Sequence, residues 1–138
     1  MDKYAGILER LEGAVEGGRE LDAWIFCAVL HTDKKPQRNF LYTNREEWGV
    51  FVTNQPKPGL TFHDAPRYTT TWDAAFTLLL EGAEYSISTL YGIADVELPL
   101  NSSDVDSQHV RRLDCNAILA FVEACVRASQ AIEDREGE

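Results

Sequence analysis

The sequence predicts an α+β protein with about four antiparallel strands packed with helices, in the order ααββαββα, and three observations lead there. Apolar residues recur at helical spacing near both ends and in the middle of the chain. Between these stretches lie two pairs of short runs rich in β-branched and aromatic residues, each pair joined by a connection too short for a parallel crossover. The chain has 138 residues, 44% apolar and 26% charged, which suits one domain with a sizeable core rather than a disordered segment. We therefore read 1–138 as a single α+β domain, with 133–138 as a frayed acidic tail.

The first helix is marked by Tyr4, Ile7, Leu8, Leu11 and Val15, with Asp2 as N-cap and Gly17-Gly18 as a glycine stop. A second helix follows, with Leu21, Trp24, Ile25, Ala28 and Val29 on one face and Phe26 and Cys27 widening it. Asn39–Thr43 and Trp48–Thr53 are the first pair of strands. Gln55-Pro56-Lys57-Pro58-Gly59 breaks regular structure, and Leu60–Arg67 reads as an irregular loop. The third helix carries Trp72, Ala75, Phe76, Leu79 and Leu80 on one stripe. One of Thr69, Thr70 and Thr71 caps it, Asp73 sits in its first turn, and Gly82 is its C-cap.

The second hairpin uses Ala83–Ser88 and Ile93–Leu98 around a turn at Tyr91-Gly92. Asp95 and Glu97 alternate with Ala94, Val96 and Leu98, so one face is wet. Pro99–Arg112 is polar and loop-like. The last helix starts near Cys115, with Ile118, Phe121, Val122, Cys125, Ala128 and Ile132 on one face. Core positions expected from these periods are Leu8, Leu11, Leu21, Ile25, Val50, Phe76, Leu79, Ile87, Val96, Ile118, Phe121 and Val122.

Chemistry-bearing motifs are sparse. His31, His63 and His109 stand in no metal-ligand spacing. A calcium loop starting at Asp104 would put His109 where glycine is required and Cys115 where glutamate is required. No phosphate-binding glycine loop or nucleophile elbow occurs. Asp95 and Glu97 are two apart on one strand, hence about 6.5–7 Å apart. That spacing occurs in some glycoside hydrolases, but no aromatic cleft accompanies it here. Cys27, Cys115 and Cys125 form no CxxC and read as reduced thiols. We expect no catalytic residues, no metal and no cofactor.

The net charge of −10 is unevenly placed. Tyr68–Val110 contains Asp73, Glu81, Glu84, Asp95, Glu97, Asp104 and Asp106 and no Lys or Arg, whereas the flanks are nearly balanced. Such a balance disfavours direct nucleic-acid binding. It suits contact with a basic protein or ribonucleoprotein surface, with Glu81, Glu84, Asp95, Glu97, Asp104 and Asp106 as the contact residues. No apolar run approaches the length of a membrane span, and Met1–Tyr4 opens without a signal-peptide pattern, so a cytoplasmic setting is expected.

Three stretches carry a resemblance: Ile7-Leu8-Glu9-Arg10-Leu11-Glu12 with Gly18–Ile25; Pro66-Arg67-Tyr68-Thr69-Thr70-Thr71-Trp72-Asp73-Ala74-Ala75-Phe76-Thr77-Leu78; and the Ala-rich final helix with its Cys. Over roughly 1–30, 66–90 and 114–130 the chain resembles small uncharacterised phage and prophage proteins of the phage α/β/α-sandwich type. The resemblance implies a mobile-element setting and no catalytic residues. It suggests an accessory protein that binds a host or defence-system partner, for example an anti-CRISPR-like inhibitor. The alternative is a small nucleotide-binding protein or enzyme with a pocket near residues 56–68, where His63, Asp64, Arg67 and Tyr68 cluster in sequence.

Overall fold

A computed structural model of the chain describes residues 3–14, 16–29, 37–39, 47–53, 60–80, 82–98, 106–114 and 116–136. The protein is α+β, and every strand pairing among the described residues is antiparallel. Helices α1 (Lys3–Gly13) and α2 (Arg19–Val29) precede a sheet of β1 (Gln37–Asn39), β2 (Glu47–Thr53) and β3 (Leu60–Asp64). The short α3 (Trp72–Phe76) leads to a second sheet of β4 (Glu84–Ser88), β5 (Ile93–Leu98) and β6 (Asp106–Arg111), and α4 (Ala117–Glu136) follows.

Each expected hairpin has thus gained a third strand, giving six strands among the described residues where about four were predicted. Leu60–Asp64 is a strand rather than a loop because it pairs with β2 from Gly49↔Asp64 to Thr53↔Leu60. Pairing overrides the breaker signal of the preceding Pro-Gly run. In the same way Asp106–Arg111, polar enough to read as loop, is an edge strand held along β5 from Ile93↔Arg111 to Leu98↔Asp106. The first strand is displaced: Gln37–Asn39 pairs with β2, whereas 40–43 lie outside the described residues.

The core lies among α1, α2, α4 and the inner face of the second sheet. Tyr4, Ile7, Leu8 and Leu11 of α1 and Leu21, Ile25 and Ala28 of α2 are buried, as their helical spacing predicts. Val29 is exposed, and α2 instead buries Asp22 and Ala23. Helix α4 differs most from its one-faced reading. Leu119 through Val126 is buried continuously, because α1 packs on one side of it and β5 and β6 on the other. Burying Leu119 and Phe121 completely contributes about 1.5–3 kcal/mol each. Asn116 starts α4: its side-chain oxygen accepts from the Leu119 amide at 3.1 Å, the usual N-cap geometry. The helix continues to Glu136, through the segment read as a frayed tail.

Among the expected core residues Phe76 is an exception, at 37% exposed. It still joins an aromatic cluster in which Phe121 is central, with ring centroids 5.1 Å from Phe76, 5.7 Å from Tyr85 and 6.2 Å from Trp72. Val50 lies outside the described side chains. Helix α3 is a single turn rather than a helix reaching Leu80. The Thr77, Leu78 and Leu79 amides bond three residues back, tightening the chain, and the Thr77 hydroxyl donates to the Ala74 carbonyl at 2.5 Å. Gly82 (φ 80°) and Gly92 (φ 63°) take left-handed conformations at the turns into β4 and β5.

The threonine cluster is more than a cap. Thr71 occupies the N-cap position of α3 but makes no side-chain cap bond, and its hydroxyl turns back to the Arg67 carbonyl at 3.0 Å. Thr69 is buried and bonded to Asp22 of α2. The Gly17-Gly18 pair, expected as a helix stop, serves this junction. A β-carbon on Gly17 would lie 2.3 Å from the Thr69 carbonyl oxygen, so only glycine permits the approach.

Candidate functional site

Alternation along the second sheet decides which side chains reach solvent. Ala94, Val96 and Val110 point inward and are buried. The opposite parity forms the outer face. Register lines up Glu84 (β4), Glu97 (β5) and Ser107 (β6) in one row, and Ser86, Asp95 and His109 in the next. Ser88, Ile93 and Arg111 form the third row. Glu84, Ser86, Asp95 and Glu97 line a shallow depression of about 210 Å³ whose rim includes Tyr85.

Two electrostatic situations adjoin there. Asp95 has a hydrogen-bond partner: its Oδ1 lies 2.5 Å from His109 Nδ1. Glu84 and Glu97 are directly opposed across the ladder, and neither has an ion-pair partner among the described residues. Like charges in that position destabilise a sheet, typically by about 0.2–1 kcal/mol. The face is therefore acidic on its β4–β5 side and tempered by His109 and Arg111 along β6.

The Ser86–Asp95–His109 row contains hydrolase residue types in the wrong order. The carboxylate lies between serine and imidazole, so the imidazole of this row is not placed to take the serine proton. Among the described residues no group of three His, Cys, Asp or Glu side chains is arranged to hold a metal ion.

Of the six residues expected at a contact face, Glu84, Asp95 and Glu97 are brought together. Asp106 opens β6 opposite Leu98, and its side chain lies outside the described ones. Glu81 and Asp104 lie outside the described residues. His109, noted in the sequence only as standing in no metal-ligand spacing, joins the face through the register of β6. Recognising the alternation of Gln108 and Val110 against Ser107, His109 and Arg111 would have found it.

Of the region near 56–68 where a pocket was expected, 56–59 lie outside the described residues. Tyr68 is buried in the core, and its hydroxyl is pushed up to about 12 by burial and then by the negative charge of Asp22. Arg67 is exposed and its carbonyl closes the following turn. The side chains of His63 and Asp64 lie outside the described ones. A separate groove of about 410 Å³ runs between α1, α2, α4 and residues 77–80, lined mainly by apolar groups such as Ile25, Leu78, Leu79 and Ile132. At its mouth the Tyr4 hydroxyl donates to Glu133 Oε1 at 2.8 Å.

Fold and face together define an α+β protein whose second sheet carries an acidic, solvent-facing surface. The chain matches no protein-family model, no curated protein and no solved structure. No helix among the described residues is long and apolar enough to cross a membrane.

Proposed function

We propose that the protein acts by stoichiometric binding, and that the outer face of β4 and β5 meets a basic surface on a protein or ribonucleoprotein partner. The carrying observation is the Glu84–Glu97 pair: two carboxylates opposed across a ladder with no base between them. A fold gains nothing from this arrangement, whereas a Lys- or Arg-bearing partner relieves the repulsion on docking. Direct nucleic-acid binding is not part of the proposal, since phosphates would be repelled at the same place. The resemblance of residues 1–30, 66–90 and 114–130 to small phage proteins favours a host or defence complex as the partner, as for an anti-CRISPR-like inhibitor acting in the cytoplasm.

The test compares the wild-type protein with Glu84→Lys/Glu97→Lys and Asp95→Lys/Glu97→Lys variants. A partner captured from bacterial lysate and then purified is bound to each, and association rates are measured from low to high salt. Wild type should associate fastest at low salt, and the reversals should slow association and flatten its salt dependence. Equal rates for all three proteins at every salt concentration would reduce the acidic face to a solubility feature.

A further inference from the structure

Among the described residues strand β4 is an open edge of the second sheet, with β5 as its sole ladder neighbour. The backbone bond beside it among the described residues, from the Ala83 amide to the Leu80 carbonyl, lies before the strand begins. Its outward amides and carbonyls therefore have no partner among the described residues. Edges left this way are usually guarded by lysine, proline, a bulge or a covering element. The sequence of β4, Glu-Tyr-Ser-Ile-Ser, has neither lysine nor proline, its pairing with β5 is continuous, and Glu84, Tyr85 and Ser86 are exposed.

The two sides of this edge differ in chemistry. On the outer side stand Glu84 and, one strand behind, Glu97. On the inner side Tyr85 and Phe76 stack with centroids 5.2 Å apart, and both stay partly exposed, at 50% and 37%. An added strand would present alternate residues to these two sides.

We infer that β4 accepts an extended peptide segment as a fourth strand, and that this segment alternates basic with apolar residues. Its Lys or Arg side chains would lie over Glu84 and Glu97 while its apolar side chains rest on the Tyr85–Phe76 shelf. Backbone pairing supplies affinity and the alternation supplies selectivity. A second copy of this chain is the poorer occupant, because pairing two β4 edges would bring two acidic faces together. The inference rests on the proposed binding role of the same face and names the form its partner takes.

The test uses a capped heptapeptide alternating Lys and Val, a Glu–Val counterpart, and two Lys–Val peptides N-methylated at odd or at even positions. Binding is followed by amide hydrogen exchange and NMR shifts on the full chain. The Lys–Val peptide should bind and slow exchange along Glu84–Ser88, and the Glu–Val peptide should not. One N-methylation set should weaken binding about tenfold or more, the loss of one or two net hydrogen bonds, and the other set should change it far less. Equal tolerance of both methylated peptides, protection on β6 instead of β4, no binding of the Lys–Val peptide, or a β4-mediated dimer would each overturn strand addition. None of these removes the acidic contact face, which stands or falls on the charge-reversal rates.

Discussion

Oδ1 of Asp22 accepts both hydrogen bonds that Thr69 can donate, from the backbone amide at 2.8 Å and from the hydroxyl at 2.7 Å. The Thr69 hydroxyl oxygen in turn accepts from the Gly18 amide at 3.0 Å. Asp22 Oδ2 takes the Arg19 guanidinium at 2.9 Å, and Arg19 continues to the Ala65 carbonyl at 2.6 Å. The first turn of α2 is thereby fastened to the connection between the two sheets. Asp22 is fully buried, and such a carboxylate is tolerable only with this many donors.

Replacing Asp22 with Ala should destabilise the fold by about 2–4 kcal/mol, because it strands a buried amide and removes the Arg19–Asp22 ion pair. Thr69→Val keeps the amide donor and should cost less, about 1–2 kcal/mol. Urea unfolding of the two variants checks the order. An Asp22→Ala midpoint equal to wild type would mean the network is inconsequential.

Two glycines should respond oppositely to alanine. Gly17→Ala drives a β-carbon to within 2.3 Å of the Thr69 carbonyl and should cost about 1–3 kcal/mol through backbone displacement. Gly13→Ala meets nothing within 4 Å and should be neutral or stabilising by up to about 1 kcal/mol, since it ends helix α1. Thermal melts of the pair decide this, and equal melting points would contradict the close approach.

Arg112 ties three elements together. It donates to the Leu11 carbonyl at 2.8 Å and to the Ala14 carbonyl, and grips Asp114 through Nε and an amino group at 3.1 and 2.9 Å. Glu123 of α4 lies 3.9 Å away. Hydrogen bonding from Arg112 holds the Asp114 carboxyl below its ordinary value of 3.8. The folded-state value is the lower one, so this contribution is complete above the ordinary carboxylate range and is lost as pH falls through the folded value. Asp114→Asn should therefore be less stable than wild type near neutrality, and the gap should close in strong acid. A urea-midpoint difference that stays constant down to about pH 2 would refute the assignment.

Cys27 and Cys125 are buried free thiols, pushed up to about 11 and about 12 by desolvation. In a Cys115→Ser background, native protein at about pH 8 should react with a disulfide reagent only at the rate of unfolding, and denatured protein should release both thiols at once. Fast labelling of either thiol in the native state would show that it is accessible.

Helices α1 and α2 could be read from the sequence because each repeats apolar residues at a spacing that only a helix brings to one face. Strand β5 was equally legible, since Ala94 and Val96 alternate with Asp95 and Glu97 and the wet and dry faces follow from the period of two. That alternation also put Asp95 and Glu97 on one surface. Strands β3 and β6 were hidden because neither carries a strong signal alone. Leu60–Asp64 follows a Pro-Gly run, Asp106–Arg111 is mostly polar, and each exists through bonds to a neighbour. The burial of Asp22 and Glu123 was illegible for a related reason: it depends on partners from other elements, Thr69 for Asp22 and Arg112 for Glu123. Local periodicity thus determined the helices, the hairpin faces and the acidic bias. Strand register and long-range hydrogen bonding alone decided that Glu84 opposes Glu97, that His109 meets Asp95, and that β4 is an edge among the described residues.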